Sequence, residues 1–210
     1  TGPQGSLKPN TRCYNIAISA LADSKTENSL DLAMQIFDTM TEPGRKSDLA
    51  PAKSLVTYNS MILALTNNGR YEEAIDLFYR MKRGGFTPDK ISYTALVKAI
   101  VAMSEGDVEE FFYDMKEQGV VPDTILFNTV IKSLCDQRKI VAAKKIVSQM
   151  ENTGVAPDSM TYGLLMKGLL ETGNPSAALT LFETACRDRR SVALTENVYL
   201  YTTAITAAAS

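Results

Sequence analysis

The sequence predicts an all-α protein built as an array of stacked helix-turn-helix repeats, without β-sheet. Three observations predict it. Thr87-Pro88-Asp89 returns as Val121-Pro122-Asp123 and as Ala156-Pro157-Asp158, at spacings of 34 and 35 residues, a period that marks repeat architectures. Each Asp is followed four residues later by an aromatic (Tyr93, Phe127, Tyr162), and each Pro is preceded by Gly at three residues (Gly85, Gly119, Gly154) and by Met at seven (Met81, Met115, Met150). Apolar residues then fall three, four and seven places after the aromatic, as in Met61, Ile62, Leu65 or Val130, Ile131, Leu134, which is one stripe of a helix.

Taken in order, the aromatics Tyr14, Tyr58, Tyr93, Phe127, Tyr162 and Tyr201 start six repeats, at spacings of 44, 35, 34, 35 and 39. Residues 1–10 read as the end of a preceding repeat or a linker, because Lys8-Pro9-Asn10 stands where Pro-Asp recurs. Repeat 1 covers 11–54, with extra residues in its turn around Ser24–Ser29 and a polar segment, Thr41–Ser54, expected as a surface loop. Repeats 2, 3 and 4 cover 55–89, 90–123 and 124–158, the third being one residue short in its turn. Repeat 5 covers 159–197, with an insertion near Arg187–Glu196, and 198–210 supplies a first helix without its second. Both ends therefore read as cut from a longer array.

In each repeat the striped helix A ends at a polar turn such as Asn67-Asn68-Gly69 or Thr172-Gly173-Asn174. Helix B carries a small residue, an aromatic and a Met in register: Ala33/Phe37/Met40, Ala74/Phe78/Met81, Val108/Phe112/Met115. Ala143/Val147/Met150 and Ala178/Phe182/Ala185 keep that register with substitutions. The small residues let the helices approach, and Phe and Met fill the space between repeats. Gly85, Gly119 and Gly154 stand where a left-handed helix cap is expected, and the prolines that follow stop the helix.

Composition narrows the function. The chain has 210 residues, 45% of them hydrophobic, a net charge of −2 and a pI near 5.3, so bulk charge gives no nucleic-acid footprint. It contains no histidine, which removes Ser-His and Cys-His catalysis and His-ligated zinc from this chain. Cys13, Cys135 and Cys186 lack metal-ligand spacing and are expected to pack in the core. No metal, cofactor or catalytic residue is expected. No apolar run approaches the ~20 residues of a membrane span. Adjacent acids such as Glu72-Glu73 and Glu109-Glu110 do not face one another on a helix and read as a solvated face.

The stretch Val56-Thr57-Tyr58-Asn59-Ser60-Met61-Ile62, then Gly69-Arg70-Tyr71-Glu72-Glu73-Ala74, Leu77-Phe78-Tyr79-Arg80-Met81 and Pro88-Asp89 resembles the pentatricopeptide repeat family in its P-type form. The resemblance covers about residues 8–209. It implies an all-α, right-handed superhelical solenoid (α-α superhelix) whose A helices line a groove for single-stranded RNA, read one base per repeat. The implied base-reading pairs are Asn59 with Asp89, Thr94 with Asp123, and Asn128 with Asp158. By the family's correspondence they favour U, G and U, a core of 5′-UGU-3′. Asn15 with Ser54, nominally favouring C, and Gly163, Asn197 and Thr202 are implied as weak readers, since an insertion separates Asn15 from Ser54, Gly163 has no side chain and Thr202 has no visible partner. Val56, Ile91, Ile125 and Met160 are implied to sandwich the bases.

The family often holds phosphate with a basic residue near the end of helix A, where this sequence has Asp23, Asn67, Asp136 and Glu171. Lys98, Lys132 and Lys167 lie four residues after Thr94, Asn128 and Gly163, on the same helix face, and are expected to take over the phosphate contact. The resemblance further implies a mitochondrial or chloroplast protein of RNA processing, stability or translation, not an enzyme. The alternative is a helical-repeat scaffold that binds protein within an organellar ribonucleoprotein or other assembly, a reading that the acidic pI, the missing basic positions and Gly163 favour.

Overall fold

Local capping chemistry marks where five of the helices of this protein begin. In the computed structural model, which describes residues 9–24, 28–42, 51–103, 106–187 and 198–208, eleven helices run among the described residues. They are α1 (Thr11–Asp23), α2 (Ser29–Thr39), α3 (Leu55–Asn67), α4 (Tyr71–Arg83), α5 (Lys90–Met103), α6 (Gly106–Glu117), α7 (Thr124–Asp136), α8 (Ile140–Asn152), α9 (Ser159–Glu171), α10 (Pro175–Arg187) and α11 (Val198–Ala208). No strand occurs among the described residues; the one extended pairing there is an isolated bridge between Thr41 and Ala52. The odd-numbered helices are the predicted A helices and each starts three residues before its aromatic. Asn10, Ser54, Asp123 and Asp158 are their N-caps, each accepting a backbone N–H in the first turn, and Asp89 accepts from Ser92 N at 2.8 Å. Thus the Asp of each Pro-Asp, with Asn10 and Ser54 in the same place, satisfies a backbone donor that the helix itself leaves unpaired.

Helices B end as predicted. Gly85, Gly119 and Gly154 take φ of 85°, 69° and 80°. Phe86, Val120 and Val155 then donate back to the carbonyls of Met81, Met115 and Met150, closing left-handed caps. The A–B turns use the same device at Gly69 and Gly173, but in α7–α8 that place is taken by Arg138, at φ 60°. A side chain in this conformation costs roughly 1–2 kcal/mol, more than the roughly 0.5–1 kcal/mol of unfolded-chain entropy that a glycine adds. Arg138→Gly is therefore expected to stabilise the protein by about 0.5–1 kcal/mol, read as a rise of a few degrees in Tm.

The chain divides into two compact units, Thr1–Val120 and Val121–Ser210. In the first, α1–α2 and α3–α4 are hairpins, α1, α3 and α5 stack as a row of A helices, and α2 and α4 pack against the A helix that follows. In the second, α7–α8 and α9–α10 are hairpins, α7, α9 and α11 form the row, and α8 and α10 pack on the next A helix. Most of the predicted interior is observed: Ala33, Ala74, Ala143 and Ala178, Phe37, Phe78 and Phe112, and Met40, Met81, Met115 and Met150 are all buried, while Val147 and Phe182 are only half-buried. Gly168 is an additional close contact, where a Cβ would stand 3.0 Å from Cys135 Sγ and 2.6 Å from Ile140 Cδ1.

Three expectations change. The segment Thr41–Ser54 is not simply a surface loop: its ends are tied by Lys53 N to Thr41 O at 2.8 Å and Thr41 N to Pro51 O at 3.1 Å, and Lys53 is buried. Glu73 is not merely solvated, and Asp114 of α6 is held as well. Asp114 accepts from Tyr93 Oη and Lys82 Nζ, and Glu73 shares Arg70 with Asp31 of α2. Of the cysteines, Cys135 is buried, Cys186 half-buried and Cys13 exposed, so core packing describes Cys135. Burial, with the charges of Asp136 and Glu171, pushes its thiol up to about 11. The shortened turn of repeat 3 and the insertion near Arg187–Glu196 fall on or within residues outside those described, as does part of the repeat 1 turn.

Candidate nucleic-acid interface

Two of the predicted reading pairs are assembled by the fold, each within one unit and by the same bonds. In the first unit Asn59, on α3, donates from Nδ2 to Asp89 Oδ1 at 3.2 Å. In the second, Asn128 on α7 donates from Nδ2 to Asp158 Oδ1 at 3.1 Å. Because a carboxylate only accepts, the amide nitrogen must face it, and the orientation of each asparagine follows from chemistry. Burial raises the Asp89 pKa, but the Ser92 N–H and hydroxyl and the Asn59 amide outweigh it and hold the carboxyl below its ordinary value.

A hydroxyl completes each pair, and sequence reasoning missed it. Ser92 Oγ stands 2.7 Å from Asn59 Oδ1 and 2.9 Å from Asp89 Oδ1; Thr161 Oγ1 stands 2.7 Å from Asn128 Oδ1 and 2.9 Å from Asp158 Oδ1. Each also accepts the backbone N–H of its aspartate at 3.1 Å. The legible signal was the Asp-x-x-Ser/Thr spacing of a capping box.

The other predicted readers differ. Thr94 and Asp123 belong to different units. Thr94 Oγ1 donates to Lys90 O at 2.8 Å, while Asp123 caps α7 through Leu126 N at 2.9 Å. At the register place of the Ser92 and Thr161 hydroxyls this repeat has Leu126, which is buried. Asn15 and Ser54 line one groove of about 640 Å³ in the first unit, with Arg12, Ile16 and Val56. Asn15 Oδ1 is buried there without a hydrogen-bond partner. The tied ends of the insertion leave Ser54 in the capping place that Asp89 and Asp158 occupy in their repeats. Gly163 is buried in α9. Thr202 is exposed on α11, and Asn197 lies outside the described residues.

Val56, Ile91, Ile125 and Met160 occupy one register place near the start of their A helices and are 60%, 65%, 71% and 56% exposed. Lone exposed apolar side chains are ordinary, but here they recur at one place in four repeats. Of the lysines, Lys98, Lys132 and Lys167 are all exposed. Lys98 Nζ donates to Asn67 Oδ1 at 3.0 Å. Lys167 lies 3.6 Å from Glu171, so its charge is partly compensated within its own helix. Among the described residues no cluster of Cys, Asp and Glu could hold a metal ion, and no helix is long and apolar enough to cross a membrane.

Stacked helical hairpins, with an asparagine of one A helix twice bonded to the aspartate that precedes the next, define an α-solenoid of the 35-residue-repeat class. The PPR repeat family model matches residues 53–102 and 122–171, and the PPR repeat model matches 160–188. The chain belongs to the pentatricopeptide repeat family. A chloroplastic pentatricopeptide repeat-containing protein of Arabidopsis thaliana is 43% identical over 58 residues, 28% of this chain and 10% of that protein. A chloroplastic/mitochondrial one from the same plant is 38% identical over 74 residues, 35% of this chain and 10% of that protein. The chain thus matches only about a tenth of the length of these relatives. The fold is that of solved structures: maize PPR10 superposes with a TM-score of 0.69 at 25% identity, covering 95% of this chain and 27% of the maize one. The PPR domain of Arabidopsis thaliana protein-only RNase P 1, solved in complex with tRNA, gives 0.66 at 16% identity, covering 95% of this chain and 97% of that one.

Proposed function

We propose that this chain is a sequence-selective module for single-stranded RNA, reading one base per repeat with a core of 5′-UGU-3′, and that it carries no chemistry of its own. The observation that supports this most directly is the repeated asparagine–aspartate pair, Asn59/Asp89 with Asn59 buried and Asn128/Asp158 with Asn128 half-buried, made by the same bonds in two units, together with exposed Val56, Ile91, Ile125 and Met160. A short amide with one free N–H can hydrogen-bond a base edge, and an exposed apolar side chain can cover a base face. Solved structures of this fold include the pentatricopeptide repeat protein PPR10 in complex with an 18-nt psaJ RNA element. The chloroplastic and mitochondrial names of the curated relatives support an organellar RNA as the target, with the protein acting in its processing, stability or translation. Thr94 and Asp123, and the weaker Asn15, Ser54, Gly163, Asn197 and Thr202, complete the proposed readers.

The deciding experiment is selection from a randomised RNA pool, followed by a single exchange. Thr94→Asn leaves Asp123 in place and is expected to move the central preference from G to U, with discrimination on the order of 1–3 kcal/mol per base. Equal binding of UGU- and UUU-centred RNAs by the parent chain, without a reversal in the variant, sinks this reading. Replacing Lys98, Lys132 and Lys167 together with Ala is expected to lower the salt slope of binding by about two units, at roughly 0.7 per phosphate. Lys167 contributes least, because Glu171 opposes it, and an unchanged slope assigns the row to solubility.

A protein-binding scaffold is the second reading. Tyr79 and Tyr113 favour it, since both are exposed at the same register of α4 and α6, among the acids Glu72, Asp76, Glu109 and Glu110. Loss of all RNA selection together with intact folding would promote it.

A further inference from the structure

We propose that the hydroxyl three residues after the pairing aspartate, Ser92 in the first unit and Thr161 in the second, is a positioning residue that decides which base its asparagine accepts. The inference rests on the RNA-reading proposal and deepens it. An asparagine amide has two N–H donors and a carbonyl oxygen with two lone pairs. In Asn59 and Asn128 one N–H is held by the aspartate, and the carbonyl oxygen is covered by the hydroxyl at 2.7 Å. The hydroxyl cannot serve elsewhere equally well: its acceptor side already takes the aspartate backbone N–H, so its single proton points to the amide oxygen or the carboxylate beside it. What remains toward a base is the second N–H. That donor suits a base carbonyl, as in uracil, and an oxygen with one of its two lone pairs facing the hydroxyl is a weaker acceptor for the exocyclic amine of cytosine.

The first repeat supplies the contrast within the same molecule. Its equivalent hydroxyl, on Thr57, lies 3.0 Å from Ser54 Oγ, and Asn15 Oδ1 is left buried without a partner. A buried acceptor without a donor costs roughly 1–3 kcal/mol, and a base amine entering the groove beside Ser54 and Val56 relieves it. The hydroxyl is present in all three repeats; what differs in the first is Ser54 in the place of the aspartate, so that the hydroxyl turns to Ser54 and not to the asparagine oxygen.

The test uses the whole chain with Ser92→Ala and Thr161→Val, and with Ser92→Thr and Thr161→Ser as conservative rescues. RNAs carrying U or C opposite Asn59 or Asn128 are compared, with the base opposite Thr94 as internal control. Removing either hydroxyl is expected to lower the U-over-C preference at its own position about tenfold, to leave the control unchanged, and to be reversed by the rescue. Unaltered U-over-C preference in both variants overturns the inference while leaving base reading intact. The side-chain amide protons of Asn59 and Asn128, followed by NMR in RNA-free protein, give an independent readout. Faster exchange on removal of the hydroxyl supports the positioning role even if the parent selects no RNA, and unchanged exchange overturns it. Should Ser92→Ala fail to fold, Thr161→Val carries the same test in the other unit.

Discussion

Truncating Tyr93 to alanine is expected to cost 3–5 kcal/mol and to abolish ordered packing around α5, the largest effect of any single change argued for this chain. Tyr93 is 1% exposed. Its ring meets Phe78 of α4 and Phe111 of α6 edge-on, each at a centroid distance of 5.4 Å, so one side chain joins two repeats. Its hydroxyl donates to Asp114 Oδ2 at 2.7 Å, and Lys82 Nζ reaches Asp114 Oδ1 at 2.5 Å. Burial first, and the Asp114 carboxylate second, push the phenol well above its ordinary value, so it remains a neutral donor at any ordinary pH. Tyr93→Phe keeps the rings and removes one charge-assisted hydrogen bond, for about 1.5–3 kcal/mol. Urea unfolding of the three proteins checks both. A loss in Tyr93→Phe equal to that in Tyr93→Ala would mean that the hydroxyl, not the ring, joins the repeats.

Glu42→Ala is expected to destabilise the first unit by about 2–3 kcal/mol, below the 3–5 of a fully buried broken pair. The discount reflects exposure: the Lys53 side chain is 4% exposed and that of Glu42 is 42%. The Lys53 ammonium sits 4.5 Å from the Phe37 ring centroid and 2.7 Å from Glu42 Oε1. Removing the carboxylate leaves a buried charge with only a ring face opposite it. Tyr58 Oη also donates to Glu42, at 2.9 Å, and burial with that carboxylate pushes its phenol up to about 12. Burial raises the Glu42 pKa, but the Lys53 and Tyr58 hydrogen bonds outweigh it and the net shift is downward. Its stabilisation is therefore complete above pH 4.5, the ordinary value, and is lost as pH falls through the lower folded value. The double change Glu42→Ala with Lys53→Met is expected to recover most of the loss, because an apolar chain can lie on Phe37 without a charge. If the double variant is less stable than Glu42→Ala alone, the pair does not act through desolvation.

Helix boundaries and core were legible among the described residues because they depend on residues near in sequence. The Pro-Asp, aromatic, Gly and Met series repeats one local chemistry: a cap acceptor, a buried ring, a left-handed stop and a filler between helices. Asn59 and Asn128 were legible as partners of Asp89 and Asp158 through resemblance to the family, and the fold brings each pair within hydrogen-bond distance. By contrast, Arg138 in a glycine's conformation could not be read from its identity, since the turn geometry of α7–α8 is imposed by packing on both sides.

What the chain order alone determined is the array: where each helix starts and stops, and which face turns inward, since caps and periodicity act over a few residues. Tertiary structure alone decided which polar groups meet. Lys53 looks like a loop lysine until Glu42, Phe37 and Tyr58 enclose it. Asp114 looks like a solvated acid until Tyr93 and Lys82, 21 and 32 residues away, converge on it. Ser92 looks like a helix cap until Asn59, 33 residues earlier, lays its amide oxygen against it. The physical reason is common to all three: a hydrogen bond is set by angstroms and angles, and a repeat sequence states only which residue types recur.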